Sequence, residues 1–171
     1  GTGYIGSHTV VELQQAGFEV VIVDNLSNSD RSVVDGIQRI TGIRPTFYEI
    51  DCQNKEGLKD IFLKEAGISA IIHFAASKAV GESVQKPLLY YRNNLVSLMN
   101  LLELMQECAI PGLVFSSSCT VYGQPEKLPV DESAPIIPAL SPYGNTKQIG
   151  EEIIRDTMTA TEGLQSVILR Y

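Results

Sequence analysis

The chain alternates between two periodicities. Short apolar runs rich in β-branched residues recur between segments with helical spacing, and each switch is marked by Gly, Asn, Asp or Pro. Residues 4–16 predict a helix stopped at Gly17, and 19–24 a buried strand ending in an acid. A weaker helix over about 33–41 leads to a strand at 46–49, and a helix over 55–66 closes at Gly67 before a strand at 70–74. Residues 88–108 predict one long helix, 113–116 a strand, about 143–161 a helix and 167–169 the last strand. Strands separated by helices of this length form βαβ units. The fold class is therefore α/β, with a Rossmann-type doubly wound parallel sheet covered on both faces. The exception is 124–142, where Pro125, Pro129, Pro135 and Pro138 predict an irregular, linker-like loop.

Length and charge narrow the function. With 171 residues, 44% of them hydrophobic, the chain is one well-cored unit. Thirteen Lys and Arg face 20 Asp and Glu, a formal charge of -7, the reverse of the basic stripe that nucleic-acid binding needs. Cys52, Cys108 and Cys119 form no close pair, and neither His8 nor His73 has a carboxylate or thiol cluster, so no disulfide framework and no metal site are expected. No apolar run approaches the ~20 residues of a membrane span. A cytoplasmic protein with no nucleic-acid or membrane partner is the expectation.

Gly1-Thr2-Gly3-Tyr4-Ile5-Gly6 is a G-x-G-x-x-G pattern opening a helix, where glycines let backbone N–H groups approach a pyrophosphate. The pattern alone is common. Its context adds weight, because a buried strand follows and Asp24 stands at its end, eighteen residues after Gly6. An acid there accepts hydrogen bonds from ribose hydroxyls and repels the extra phosphate of NADP, so NAD is the expected cofactor. A glycine-rich turn with Asp24 capping a strand is the competing reading. The strand that should feed the motif is not among these residues, and the chain ends on strand-like residues. Residues 1–171 thus read as a Rossmann domain truncated at both ends: an NAD-binding domain lacking its first strand, with a C-terminal substrate domain absent from the chain. Such a piece is expected not to fold stably alone.

Tyr143 and Lys147 stand at i and i+4, on one helical face. A free phenol titrates near pH ~10, and bringing it to neutrality costs roughly 4 kcal/mol, which a nearby cation can supply. An exposed i,i+4 pair is the bland alternative. Upstream lies the hydroxyl-rich strand end Ser116-Ser117-Ser118-Cys119-Thr120, and ligands of open α/β sheets bind beyond carboxyl ends of strands. Serines there also serve as caps and turn formers.

Together, Gly3 to His8, Asp24-Asn25-Leu26, the run from His73 through Lys78 to Pro87, Tyr90-Tyr91, Ser116 to Gly123, and Ser141-Pro142-Tyr143-Gly144 with Lys147 carry a resemblance. The chain resembles the UDP-sugar 4-epimerases of the extended short-chain dehydrogenase/reductase family. The resemblance implies NAD held by Gly1, Gly3, Tyr4, Ile5 and Gly6, with Asp24, Asn25, Asn28 and Ser29 at the adenosine ribose and Asp51 and Cys52 at the adenine edge. It also implies Phe74, Ala75, Ala76, Lys78 and Asn93 along the path to the nicotinamide, with Tyr143, Lys147 and Tyr171 completing the cofactor contacts. Lys78, Ser118 and Tyr143 would bind a UDP-sugar substrate. Ser118 and Thr120 would hold its hydroxyl, Tyr143 would be the base, and Lys147 would lower the Tyr143 pKa.

The implied activity is interconversion of UDP-glucose and UDP-galactose, in galactose metabolism, by transient oxidation at sugar C4 with tightly bound NAD and hydride return to the opposite face. Related dehydratases carry an Asp-Glu pair where this chain has Cys119-Thr120, which disfavours elimination. Cys52 departs from the family's aliphatic residue, which is tolerable if backbone makes that contact. The alternatives are another NAD-dependent sugar-nucleotide epimerase, decarboxylase or oxidoreductase of the family, or a dinucleotide-sensing regulator without chemistry. Leu88, Leu95, Met99, Leu102 and Met105 lie at helical spacing, and the resemblance implies a homodimer of the intact protein through this helix and the one at Tyr143.

Overall fold

The computed structural model describes residues 1–125 and 127–171. Chain order is α1 (Tyr4–Gln15), β1 (Val21–Asp24), α2 (Ser32–Thr41), β2 (Thr46–Glu49), α3 (Lys55–Lys64), β3 (Ala70–His73) and α4 (Val80–Gln85). It continues with α5 (Pro87–Tyr91), a π-helical turn (Arg92–Val96), α6 (Ser97–Glu107), β4 (Gly112–Ser117), a 3-10 turn (Cys119–Tyr122), α7 (Pro142–Ala160) and β5 (Gln165–Arg170). The five expected strands are present. The expected loop over 124–142 carries no helix or strand before Pro142 among its described residues, and Glu126 lies outside them.

Every strand pairing is parallel, so each crossover needs a helix. β1 pairs with β2, Val21 opposite Thr46, and β3-β4-β5 form a second piece in which Gly112 faces both Ala70 and Gln165. β1 and β3 are not neighbours in either sheet. That break matches a Rossmann order in which the strand leading into the glycine motif lies outside these residues. One apolar core still joins the pieces. Leu58, Ile61 and Phe62 of α3, Leu98, Leu101, Leu102 and Met105 of α6, Leu113 and Phe115 of β4 and Ile154 of α7 are buried together, with Val23 and Tyr48 packed against them. Val10, Ile22 and Ile37 form a smaller cluster joining α1, β1 and α2.

The helix expected over 88–108 is not uniform. Pro87 starts α5 at its first turn, but the chain then takes the π-helical turn before α6. The wider turn releases backbone carbonyls, and the Ser97 hydroxyl donates to the Asn93 carbonyl at 2.6 Å. Apolar spacing could not show this, because Leu and Met wrap more than one face. The outcome divides the expected stripe: Leu102 and Met105 are buried, whereas Leu88 is 79% and Met99 40% exposed. No helix among the described residues is long and apolar enough to cross a membrane.

Candidate active site

The glycine motif forms a turn into α1 whose closeness is measurable. A Cβ on Gly1 would stand 2.3 Å from Ile22 Cγ2, and one on Gly6 would stand 2.5 Å from the Gly1 carbonyl oxygen. A Cβ on Gly3 would meet nothing within 4 Å. Two glycines therefore permit the turn and its packing on β1, while the third leaves an open approach at the helix N-terminus, where a phosphate is favoured. Tyr4 and Ile5 are exposed beside it. These features fit a dinucleotide.

Asp24 ends β1 directly below. Its Oδ2 accepts from the Gly1 nitrogen at 2.7 Å and from the Thr2 N–H at 2.9 Å, and its Oδ1 accepts from the Leu26 N–H and, at 3.3 Å, from the Ser29 hydroxyl. Burial acts to raise its pKa, but the backbone N–H groups of Thr2 and Leu26 lower it, favouring the ionised carboxylate. Asn25 donates to Asp51 at 2.8 Å, joining the ends of β1 and β2. Asn28 is exposed nearby in sequence. Cys52 packs against the large core, and burial pushes its thiol up to about 11.

After β3 the chain passes through half-buried Phe74 and Ala76, then exposed Ala75 and Lys78. The π-helical turn faces this loop. Asn93 donates to the Ser77 hydroxyl at 3.2 Å. Asn94, buried, accepts from the Ser77 N–H at 2.8 Å and donates to the Ser77 carbonyl and to Thr146 Oγ1, each at 3.0 Å. Sequence reasoning singled out Asn93 and missed Asn94, Ser77 and Thr146. The paired asparagines inside an apolar helix were the available signal, since amides there need partners.

α7 begins at Ser141, whose hydroxyl accepts from the Gly144 N–H, and Pro142 occupies the first turn. A Cβ on Gly144 would lie 3.3 Å from both Thr120 Cβ and its carbonyl oxygen, so glycine lets the helix start press against the 3-10 turn. That contact brings Tyr143 beside the strand end. Ser118 Oγ accepts from the Thr120 N–H at 3.2 Å, and Thr120 Oγ1 is buried without a hydrogen-bond partner among the described residues. An orphaned hydroxyl of this kind suits a ligand hydroxyl. Exposed Tyr171 closes the group, its carbonyl accepting from the Cys119 N–H at 2.7 Å.

Lys147 lies one helical turn beyond Tyr143. Its ammonium donates to the Ser116 carbonyl at 2.7 Å and lies 4.8 Å from the Phe115 ring centroid and 5.9 Å from that of Tyr143. Burial, with no carboxylate partner among the described residues, pulls it down to about 8. The Tyr143 phenol is raised, by burial first, with a Ser118 hydrogen bond opposing. The lysine is thus beside the tyrosine but held by a strand-end carbonyl, a partner that side-chain spacing cannot reveal. His73 is buried and stacked on Phe115, and burial with the neighbouring Lys147 charge pulls it to about 3, leaving it neutral. His8 lies on α1 with Nδ1 2.8 Å from the Tyr4 carbonyl oxygen.

An open glycine cradle at the start of α1, together with Tyr143 and Lys147 one turn apart on α7, places the fold and site in the short-chain dehydrogenase/reductase class. More narrowly, the chain belongs to the NAD dependent epimerase/dehydratase family, which it matches over residues 1–171. It is 48% identical over 171 residues to the UDP-glucose 4-epimerase of Bacillus subtilis, covering all of this chain and 50% of that protein. It is 47% identical over 177 residues to the UDP-glucose 4-epimerase of Mus musculus, covering 51% of it. Among solved structures, the UDP-glucose 4-epimerase of Bifidobacterium longum in complex with NAD+ and UDP superimposes with a TM-score of 0.97 at 40% identity, covering all of this chain and 51% of that one. The Stenotrophomonas maltophila enzyme with bound NAD and formylated UDP-arabinopyranose gives 0.95 at 46% identity, with 100% and 50% covered. The chain spans about half the length of the curated relatives it matches.

Proposed function

We propose that the intact protein interconverts UDP-glucose and UDP-galactose in the cytoplasm, with residues 1–171 forming its NAD-binding domain. The observation that carries the reading is the orphaned Thr120 hydroxyl, in the turn that begins at Ser118 and packs against the start of α7 beside Tyr143, in a chain whose glycine cradle is open at Gly3. Bound NAD would supply a hydride acceptor for the sugar C4 and a donor for the return. Gly1, Gly3, Gly6 and the α1 N-terminus would hold its phosphates. Asp24, Asn25, Asn28 and Ser29 would take the adenosine ribose, and Asp51 with the Cys52 backbone the adenine. Phe74, Ala75, Ala76, Lys78, Asn93 and Tyr171 would line the rest.

The residues of this chain would do the proton chemistry. Thr120 and Ser118 orient the C4 hydroxyl, and Tyr143 takes its proton and later gives it back. Burial keeps the phenol protonated until positive charge is brought beside it; buried Lys147 keeps a cation within reach and is free to exchange the Ser116 carbonyl for a ribose hydroxyl. Lys78 is exposed at the mouth of the site and would meet the UDP-sugar. Cys119 stands beside Thr120 where elimination would need an acid. The exposed Leu88, Leu89 and Met99, with a cleft of about 500 Å³ lined by Gln53, Leu88, Tyr91, Arg92 and Val96, support a homodimer through α5, α6 and α7.

The test is turnover of UDP-galactose by the intact protein. UDP-glucose formed with no net NADH is expected; steady net NADH production would overturn the reading in favour of an oxidoreductase. A Tyr143→Phe protein that retains all cellular function would instead favour a dinucleotide sensor.

A further inference from the structure

The residues assigned to chemistry come from four separate segments: the end of β4 (Ser118), the 3-10 turn (Thr120), the start of α7 (Tyr143 and Lys147) and the end of β5 (Tyr171). One buried carboxylate behind them is tied to all four. Glu151, one helical turn beyond Lys147, is 1% exposed. Its Oε1 accepts from the Ser117 hydroxyl at 2.6 Å and from Arg170 Nε at 3.0 Å, and its Oε2 accepts from Arg170 Nη2 at 2.6 Å. Arg155 approaches Oε2 at 3.7 Å from the exposed side. Arg170 in turn donates through Nη1 to the Tyr122 hydroxyl at 2.9 Å, with its guanidinium 4.9 Å from that ring. Tyr122 ends the turn that carries Thr120, and Arg170 precedes Tyr171, whose carbonyl holds the Cys119 N–H.

This arrangement is not a cheap way to fill space. A buried ion pair repays its desolvation poorly, and apolar residues of the same volume would give equal or greater stability. What it provides is direction, since a two-nitrogen guanidinium–carboxylate pair fixes both planes. Alternation along β4 sends Ser117 toward Glu151 and Ser118 toward Tyr143, so a pull on one sets the other.

Building on the epimerase reading above, we propose that Glu151 is a positioning residue: clamped by Arg170 and bonded to Ser117, it holds the Ser118 and Thr120 hydroxyls in place against the Tyr143 phenol. It touches neither sugar nor cofactor.

The test uses the intact, NAD-loaded protein and its Ser117→Ala, Ser117→Thr, Glu151→Gln and Ser117→Ala/Glu151→Gln forms. Losing a positioning bond of this kind is expected to lower kcat on UDP-galactose about tenfold in Ser117→Ala, with KM within about threefold and bound NAD content unchanged. Ser117→Thr, which keeps the hydroxyl, is expected to restore turnover. The double variant is expected to be no worse than Glu151→Gln alone, since both cut one link. Independently of turnover, amide hydrogen exchange across residues 117–123 is expected to quicken in Ser117→Ala by about tenfold while exchange in α7 is unchanged. Wild-type kcat and exchange in Ser117→Ala and in Glu151→Gln would overturn the proposal. So would kcat, NAD content and thermal midpoint all falling together, which marks a purely structural role. If the unaltered protein binds NAD but does not epimerise, the function fails, and exchange alone decides the brace: faster supports it, unchanged overturns it.

Discussion

Gly3→Ala and Gly6→Ala separate the two jobs of the glycine motif. Gly3 caps α1 at φ -66° and ψ 173°, a conformation open to any residue, and its Cβ would meet nothing within 4 Å. Alanine there gains roughly 0.4–1 kcal/mol through the unfolded chain and gives back a comparable amount as a poorer N-cap than glycine, so the stability of the NAD-free protein should change by less than about 1 kcal/mol. Gly6 lies inside α1, where helix propensity favours alanine by about 1 kcal/mol. Its Cβ, however, would stand 2.5, 2.9 and 3.1 Å from the O, C and Cα of Gly1, all backbone atoms that cannot swing aside. Overpacking of that kind costs about 1–3 kcal/mol, so the net change is a loss of up to about 2 kcal/mol. Ligand binding should follow a different order. If the open side of Gly3 is where the pyrophosphate rests, a methyl there disrupts at least one charge-assisted hydrogen bond worth about 1.5–3 kcal/mol, and NAD affinity should fall at least about tenfold. Thermal unfolding of the NAD-free intact proteins and titration calorimetry with NAD read the two effects separately. A Gly3→Ala protein that binds NAD as tightly as the unaltered one, or that loses stability as Gly6→Ala does, refutes the reasoning.

Tyr143→Phe should cut turnover of UDP-galactose by about 10²–10⁴-fold while leaving the melting temperature nearly unchanged, as measured by steady-state assay and calorimetry. Lys147 has its pKa lowered from 10.5 to about 8, so the unfolded chain binds more protons between those values and stability should rise with pH across that window by about 3 kcal/mol, the cost being full below pH 8. Lys147→Met should therefore be more stable than the unaltered NAD-free protein at pH 7 by about 2 kcal/mol, after subtracting the lost Ser116 bond, with the gap closing toward pH 10.5; guanidinium unfolding at both pH values checks it. Asp24→Asn should weaken NAD binding about tenfold and narrow the preference over NADP, measured by titration with each dinucleotide. Leu104→Ala, at a fully buried site, should cost about 2–5 kcal/mol in denaturant unfolding.

The strands and most helices were legible because their periodicity is local: Thr46 to Glu49 reads as a strand and forms one, and Gly17 ends α1 with the φ of +88° that a glycine allows. Tyr143, Lys147 and the hydroxyl-rich strand end were legible as a group through their position relative to the strands, and the resemblance singled out Ser118 and Thr120 within it. Their bonding was not. Lys147 chooses a backbone carbonyl thirty-one residues away, and Glu151 finds Arg170 on another element, pairings set by how α7 lies across β4 and β5. The short α4 escaped notice because six residues are too few to display a period. The π-helical turn escaped because its asparagines gain their meaning only from Ser77 and Thr146, which lie seventeen and fifty-two residues from Asn94.

That turn also governs which mutations of length the protein can accept. An α-helix rotates about 100° per residue, so one residue added within a turn offsets everything downstream by that angle. The front of the helix is keyed to Ser77 and Thr146 through Asn94, and the rear to the core through Leu98, Leu101, Leu102 and Met105. Deleting any one residue from 92–96 would straighten the helix and still break one of the two engagements, because both cannot be in phase along a regular α-helix. The segment should therefore accept exchanges of side chain far more readily than a single-codon deletion, although its backbone is the less regular of the alternatives.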